Sequence, residues 1–321
     1  MPLPTALLAV ALQVQLSTPA AKPGDTIAVT IRDPAHDGGA DIGSGHTAPM
    51  VSSLGGVSVP CYPAGPPGAW YAIHGVPVSA PAGRRDITVG AGGIVLRTPL
   101  ERSGSDVGVL RTDSRVTPDV LSSVGSGTAA PEVWQGGIEI LPVAPEEQRL
   151  TFVKKRRYLT DRLPRKKDRA LKAALRSETG VRRWRDAFLW PVHGRTVANF
   201  GVKRVYNLGL RESWHKGLDL SVPWGTPVVA AASGTVALTG TYGANGRIVV
   251  LDHGHGVVTF YGHLSRIVVE RGRSVSAGQV VGRVGSTGLS TAPHLHWGVY
   301  VHGVAVRPDD WTIRVPVGTV P

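Results

Sequence analysis

Cysteine is almost absent from this chain. One residue in 321, Cys61, carries a thiol, so no internal disulfide can form and a disulfide-stapled scaffold is excluded. Cys61 sits in Pro60-Cys61-Tyr62-Pro63 with no base beside it, the context of a small buried hydrophobe rather than a nucleophile. Long apolar runs are missing too. No stretch of about 18 uninterrupted apolar residues occurs, so no transmembrane helix is indicated. Charged residues make up only 18% against 42% hydrophobic, which fits a globular protein and excludes a disordered one.

Glycine (41) and proline (25) are plentiful, and valine is frequent. That balance favours many short strands joined by turns over a helical protein. The length suggests about two domains. Basic residues outnumber acidic ones, 35 to 23, for a formal charge of +12. The excess is local. Residues 151–185 hold fourteen Lys/Arg against three Asp/Glu, which places +11 of the +12 there. Such a stretch is either a solvated basic helix or an attractor of polyanions. It has few aromatics for base stacking beyond Tyr158 and Trp184, which argues against nucleic acid.

In order along the chain, residues 1–11 form a short apolar run ending in Ala9-Val10-Ala11. It reads as a truncated signal segment, with a first strand as the alternative and no basic residue before Lys22. Residues 12–150 read as a β-sandwich-like N-terminal module. Alternating stretches at 12–16, 26–31, 56–59, 70–73 and 86–89, bounded by Gly and Pro, suggest an immunoglobulin-like fold, with 137–143 as a further strand. Ser103 to Ser126 is polar and carries no strand pattern. His36, His46 and His74 lack metal-ligand spacing and read as surface or loop residues. Residues 151–187 read as a basic helical linker, with Pro164 opening a helix over Arg165–Arg176. From 188 to 321, Val-rich strands return at 226–230, 234–238, 247–251, 257–261, 279–284 and 296–301. They predict an antiparallel β domain with almost no helix.

The chemistry concentrates in this last domain. His294 and His296 lie two apart in an apolar run, so on a strand they project from one face. Trp297 then points to the opposite face, into a core. His215 and Asp219 lie four apart, and the intervening Gly217 favours extended chain. His263 stands in Tyr261-Gly262-His263-Leu264. Two histidines and one aspartate would satisfy a catalytic zinc with an open fourth position, and two histidines would remain for proton transfer. His253 and His255 flank Gly254 in a hairpin-like turn, and His193 and His302 read as loop residues.

The text around these residues resembles the M23 zinc metallopeptidases, the lysostaphin-type or LytM-like enzymes that cut peptide bonds of bacterial peptidoglycan. It includes Phe200-Gly201-Val202-Lys203-Arg204, His215-Lys216-Gly217-Leu218-Asp219, Tyr261-Gly262-His263-Leu264-Ser265 and Pro293-His294-Leu295-His296-Trp297. The resemblance covers residues 188–310. It implies one Zn2+ on His215, Asp219 and His296, with His263 and His294 as catalytic histidines, either of which could be the base. It implies a groove walled by the loops 204–213, 239–246 and 285–292. Tyr206 and Asn207, just before the first ligand, read either as residues that touch substrate or cap the metal or as ordinary loop residues. The resemblance implies an extracytoplasmic site of action, in the cell envelope or secreted. The charge of the basic stretch adds an anionic cell-wall polymer as a candidate partner. The alternative is a non-catalytic envelope-binding regulator that keeps the peptidase fold.

Overall fold

The computed structural model describes residues 13–32, 50–91 and 133–314, apart from 56, 66, 67, 156 and 161. The leader reading of residues 1–11, the polar stretch from Ser103 to Ser126, and His36 and His46 lie outside the described residues.

The N-terminal strands form two sheets. One runs in the order Gln13–Leu16, Thr26–Arg32, Ala69–Gly75, Tyr62–Pro63. The other runs Ala20–Ala21, Val133–Ile140, Gly83–Ala91, Met50–Leu54, Val57–Pro60. Alternation dictates the packing. Ile27, Val29 and Ile31 point inward from the first sheet and meet Ile87, Val89, Ile138 and Ile140 from the second, all essentially without solvent contact. His74 falls on this buried face. It is 3% exposed, and Ser52 Oγ lies 2.9 Å from its Nε2. The sequence reading of a surface histidine is corrected here. Position 74 belongs to the strand Ala69–Gly75, and strand alternation turned it inward.

The C-terminal sheet has eight strands, all antiparallel. Its path is Arg195–Ala198, Leu218–Ser221, Leu295–Val301, Val257–Leu264, Arg247–Asp252, Gly234–Thr241, Ser274–Val275, with Val304–Val306 added beside Leu295–Val301. The two central strands, 257–264 and 295–301, are buried almost throughout. Trp297 is fully buried and packs against Trp190 at 5.6 Å between ring centres, as its alternation from His296 predicts. A second, three-stranded sheet joins Pro227–Val229, Val280–Arg283 and Arg266–Ile267.

The expected helix forms over Arg165–Leu175 and buries Ala174 against the C-terminal core. Elsewhere among the described residues of 151–187, helix is confined to Arg157–Thr160. Several of the basic residues there contact their own chain. Lys167 Nζ donates to Thr241 O, Arg183 Nε donates to Thr235 Oγ1, and the Arg182 guanidinium lies 4.1 Å from the Trp184 ring centre. The strand Glu147–Leu150, read from sequence with the N-terminal module, pairs instead in parallel with Lys203–Tyr206 of the C-terminal domain. No helix of the described residues is long and apolar enough to cross a membrane.

The two β units share a continuous core. Ala28, Tyr62, Tyr71 and Ile73 join the C-terminal cluster. At that seam Tyr62 stacks on His255 at 3.8 Å, and the Tyr71 hydroxyl hydrogen-bonds His255 Nδ1. His302, read from sequence as a loop residue, has a side chain only 8% exposed and lies beside Glu178.

Candidate metal centre and active site

Strand register assembles the site. Asp219 on Leu218–Ser221 pairs directly with His296 on Leu295–Val301. His296 in turn pairs with Gly262 on Val257–Leu264. His215 sits just before the first of these strands, and Gly217 lets the chain pass close beneath His296. A Cβ at Gly217 would lie 2.4 Å from Trp297 O and 2.9 Å from His296 Cε1. Only glycine fits that approach.

The result is a compact triangle of donor atoms. Asp219 Oδ1 lies 3.0 Å from His215 Nε2 and 2.8 Å from His296 Nδ1, and the two ring nitrogens are 3.0 Å apart. His215 Nδ1–H donates to Asn199 O at 2.6 Å, which leaves the Nε2 lone pair aimed into the triangle. All three side chains are nearly closed to solvent. Two imidazole nitrogens and a carboxylate oxygen, desolvated and facing one point, could hold a first-row divalent ion. Burial works to raise the Asp219 carboxyl pKa, but its polar contacts with His215 and His296 outweigh it and hold it well below the usual range. The carboxylate is therefore the form present at neutral pH. Burial pushes His296 down to about 4, so its ring is neutral and able to ligate.

His263 and His294 stand beside the triangle with ring centres 4.8 Å apart. His263 reaches this place through a β-bulge. Leu264 pairs with Arg247 and Tyr261 with Val249, so Gly262 and His263 together oppose Ile248. The backbone of His263 is left-handed, φ 60°, a strained conformation for a residue with a Cβ. Thr287 holds it there: His263 Nδ1–H donates to Thr287 O at 2.8 Å, and Thr287 N donates to His263 O. Burial, with His294 and His296 nearby, pushes His263 down to about 3. A neutral ring whose Nδ1 carries the hydrogen presents Nε2 as an acceptor. His294 is fixed in the same way, Nδ1 donating to Ala292 O at 2.8 Å, with Nε2 3.8 Å from Asp219 Oδ1.

All five residues singled out from sequence thus converge. Asn207 does not face the triangle: its Oδ1 accepts from Phe152 N at 2.7 Å and its Nδ2 donates to Phe152 O at 3.0 Å. Tyr206 packs with Phe152 and Leu159. His253 and His255 hold no place in the triangle but are buried structural groups. His253 contacts Ser233 O at 2.8 Å and Thr259 Oγ1 at 2.7 Å, and burial lowers it to about 4. Arg204 was missed. It lay in the matching text without a role, yet its guanidinium pairs with Asp219 Oδ2.

Residues 213–308, which carry this geometry, match peptidase family M23. Over these residues the chain is similar to family M23. The peptidoglycan DD-endopeptidase ShyA of Vibrio cholerae is 40% identical over 113 residues, 35% of this chain and 26% of that protein. The DD-carboxypeptidase/endopeptidase Mpg of Neisseria meningitidis is 42% identical over 102 residues, 32% of this chain and 24% of that protein. The M23 match therefore spans about a quarter of the length of these curated relatives. A crystal structure described as a candidate M23 peptidase from Pseudomonas aeruginosa superposes over 92% of this chain and 94% of its own, with a TM-score of 0.56 at 24% identity. At that identity the likeness concerns the fold, and it extends beyond the M23 domain to the N-terminal unit.

Proposed function

We propose that this chain is a zinc-dependent endopeptidase that hydrolyses peptide bonds of bacterial peptidoglycan. The observation that carries the reading is the donor triangle of His215, Asp219 and His296 with His263 and His294 beside it, inside an M23 domain. His215 Nε2, Asp219 Oδ1 and His296 Nδ1 would hold one Zn2+. Bound there, the ion supplies Lewis acidity for the scissile carbonyl and for water. The protein supplies the rest. Nε2 of His263 or of His294 takes the proton of the attacking water and returns it to the leaving amine. The partner ring, with Nδ1–H committed to a carbonyl, can donate to the oxygen that becomes negative only as an imidazolium that carries a second proton on Nε2, a hydrogen bond worth about 10²–10³ in rate. Both rings are locked by backbone carbonyls on Nδ1, so neither must reorganise as charge develops.

The name of the Vibrio cholerae relative, a peptidoglycan DD-endopeptidase, supports peptidoglycan as substrate, and an extracytoplasmic place of action follows from that substrate. The strand order of the N-terminal unit, four strands facing five with a parallel edge pair at Ala20–Ala21 and Glu139–Ile140, supports the immunoglobulin-like reading. An anionic cell-wall polymer at residues 151–185 rests on net charge alone, and the cations that hydrogen-bond their own chain are less free to meet it.

The test is digestion of purified peptidoglycan by the full chain, with a chelator and with zinc added back, followed by mass analysis. Zinc-dependent release of peptide-cleaved fragments is expected. Intact polymer after incubation with a zinc-loaded chain would sink the proposal in favour of the non-catalytic regulator.

A further inference from the structure

One carboxylate in the site has two partners of opposite kind. Asp219 Oδ1 faces the imidazoles of the triangle, while Oδ2 faces the guanidinium of Arg204. Arg204 is itself largely buried, its side chain 14% exposed, and its Nε donates to Gln148 Oε1 at 3.1 Å. Gln148 comes from the strand Glu147–Leu150, outside the M23 match, and pairs in register with Arg204. The segment carrying Gln148 is anchored at its far end as well. Lys155 Nζ donates to Ser286 O at 3.0 Å and Ser290 O at 2.7 Å, on the loop that precedes His294.

We infer that Arg204 is a positioning residue for the metal ligand Asp219, and that Gln148, on a strand outside the M23 match, positions Arg204 in turn. The inference rests on the zinc reading proposed above. The physical reason lies in the choice open to a carboxylate. With Oδ2 unpaired, Asp219 could rotate or offer both oxygens to an ion. A planar guanidinium fixed by two acceptors occupies Oδ2 and holds Oδ1 toward the imidazoles. A lysine keeps the charge but cannot reach both Gln148 and Asp219 in that plane. The strand 147–150 is thus part of the metal site, although 56 residues separate Gln148 from Arg204.

The test uses the full chain and measures zinc affinity by competition with a chromophoric chelator, alongside the visible absorption of the cobalt(II)-loaded protein. Arg204→Met is expected to bind zinc about 10–100-fold more weakly and to change the cobalt spectrum, the range for loss of an outer-shell partner. Arg204→Lys should recover part of that loss. Gln148→Ala, remote from the ligands, should weaken binding in the same direction by less, and it serves where the arginine variant does not fold. Zinc affinity within twofold of the parent, with an unchanged cobalt spectrum, in Arg204→Met or in Gln148→Ala if the former is unfolded, would overturn the inference. A parent chain that takes up no zinc would instead overturn the zinc reading itself.

Discussion

Asp219 and His296 face each other across two antiparallel strands, with Oδ1 of one 2.8 Å from Nδ1 of the other. The pair is made by register alone. A slip of one residue would carry His296 into the core and Trp297 onto the site. The apolar faces of both strands forbid that slip, since Leu218, Leu220, Leu295 and Trp297 are all buried on the other side. The same hydrophobic pattern that folds the sheet therefore sets the distance between two candidate ligands.

Gly217→Ala tests the close approach that the triangle needs. The new Cβ would lie 2.4 Å from Trp297 O, a backbone atom that cannot yield cheaply. The strand must shift, at a cost of about 1–3 kcal/mol, and His296 moves with it. Urea unfolding should show the lost stability, and chelator competition should show zinc affinity reduced at least about tenfold. Unchanged values in both would show that the approach is not required.

His294→Ala separates chemistry from metal binding. His294 Nε2 lies 3.8 Å from Asp219 Oδ1, beside the triangle rather than in it. Hydrolysis should fall by about 10²–10⁴, the range for loss of a general acid–base group, while zinc content stays at one per chain. Loss of the metal together with the activity would move His294 into the ligand set.

Tyr71→Phe probes the seam between the two β units. Its hydroxyl donates to His255 Nδ1, whose Nε2–H is committed to Gly180 O at 3.0 Å. Removing the hydroxyl leaves a buried acceptor without a partner and should cost about 1–3 kcal/mol. Chemical denaturation measures that loss. The turnover number should hold, because Tyr71 touches none of the five site residues.

Stability should fall as the solution turns acidic. Burial lowers His74 to about 3 and His253 to about 4, so both are neutral in the fold. Unfolded, each would titrate near its ordinary 6.5. Between those limits the unfolded chain binds more protons, and stability drops with falling pH by about 1.4 kcal/mol per unit for each histidine. The contribution is complete above about pH 6.5 and fades as pH falls towards 4. Thermal melts at pH 7, 6 and 5 check it. A melting temperature constant over that range would contradict the buried neutral state.

The sequence by itself determined the local structure and singled out the five residues that the fold brings together. Alternation over Thr26–Arg32 and Leu295–Val301, and the helical spacing within Arg165–Leu175, made those elements readable because each is set by which neighbours in sequence share a face. His215, Asp219, His263, His294 and His296 were readable because their residue types and surrounding text are distinctive. Three things were decided only in three dimensions. Strand alternation buried His74, but only the meeting of two sheets made that face a core. The bulge at Gly262–His263 depends on Ile248 of the neighbouring strand, so nothing in Tyr261-Gly262-His263-Leu264 announces the left-handed turn that aims His263. The partnership of Gln148, Arg204 and Asp219 joins three segments that are distant along the chain. Contacts of that kind follow from which strands become neighbours, and that is a property of the whole packed core rather than of any stretch of sequence.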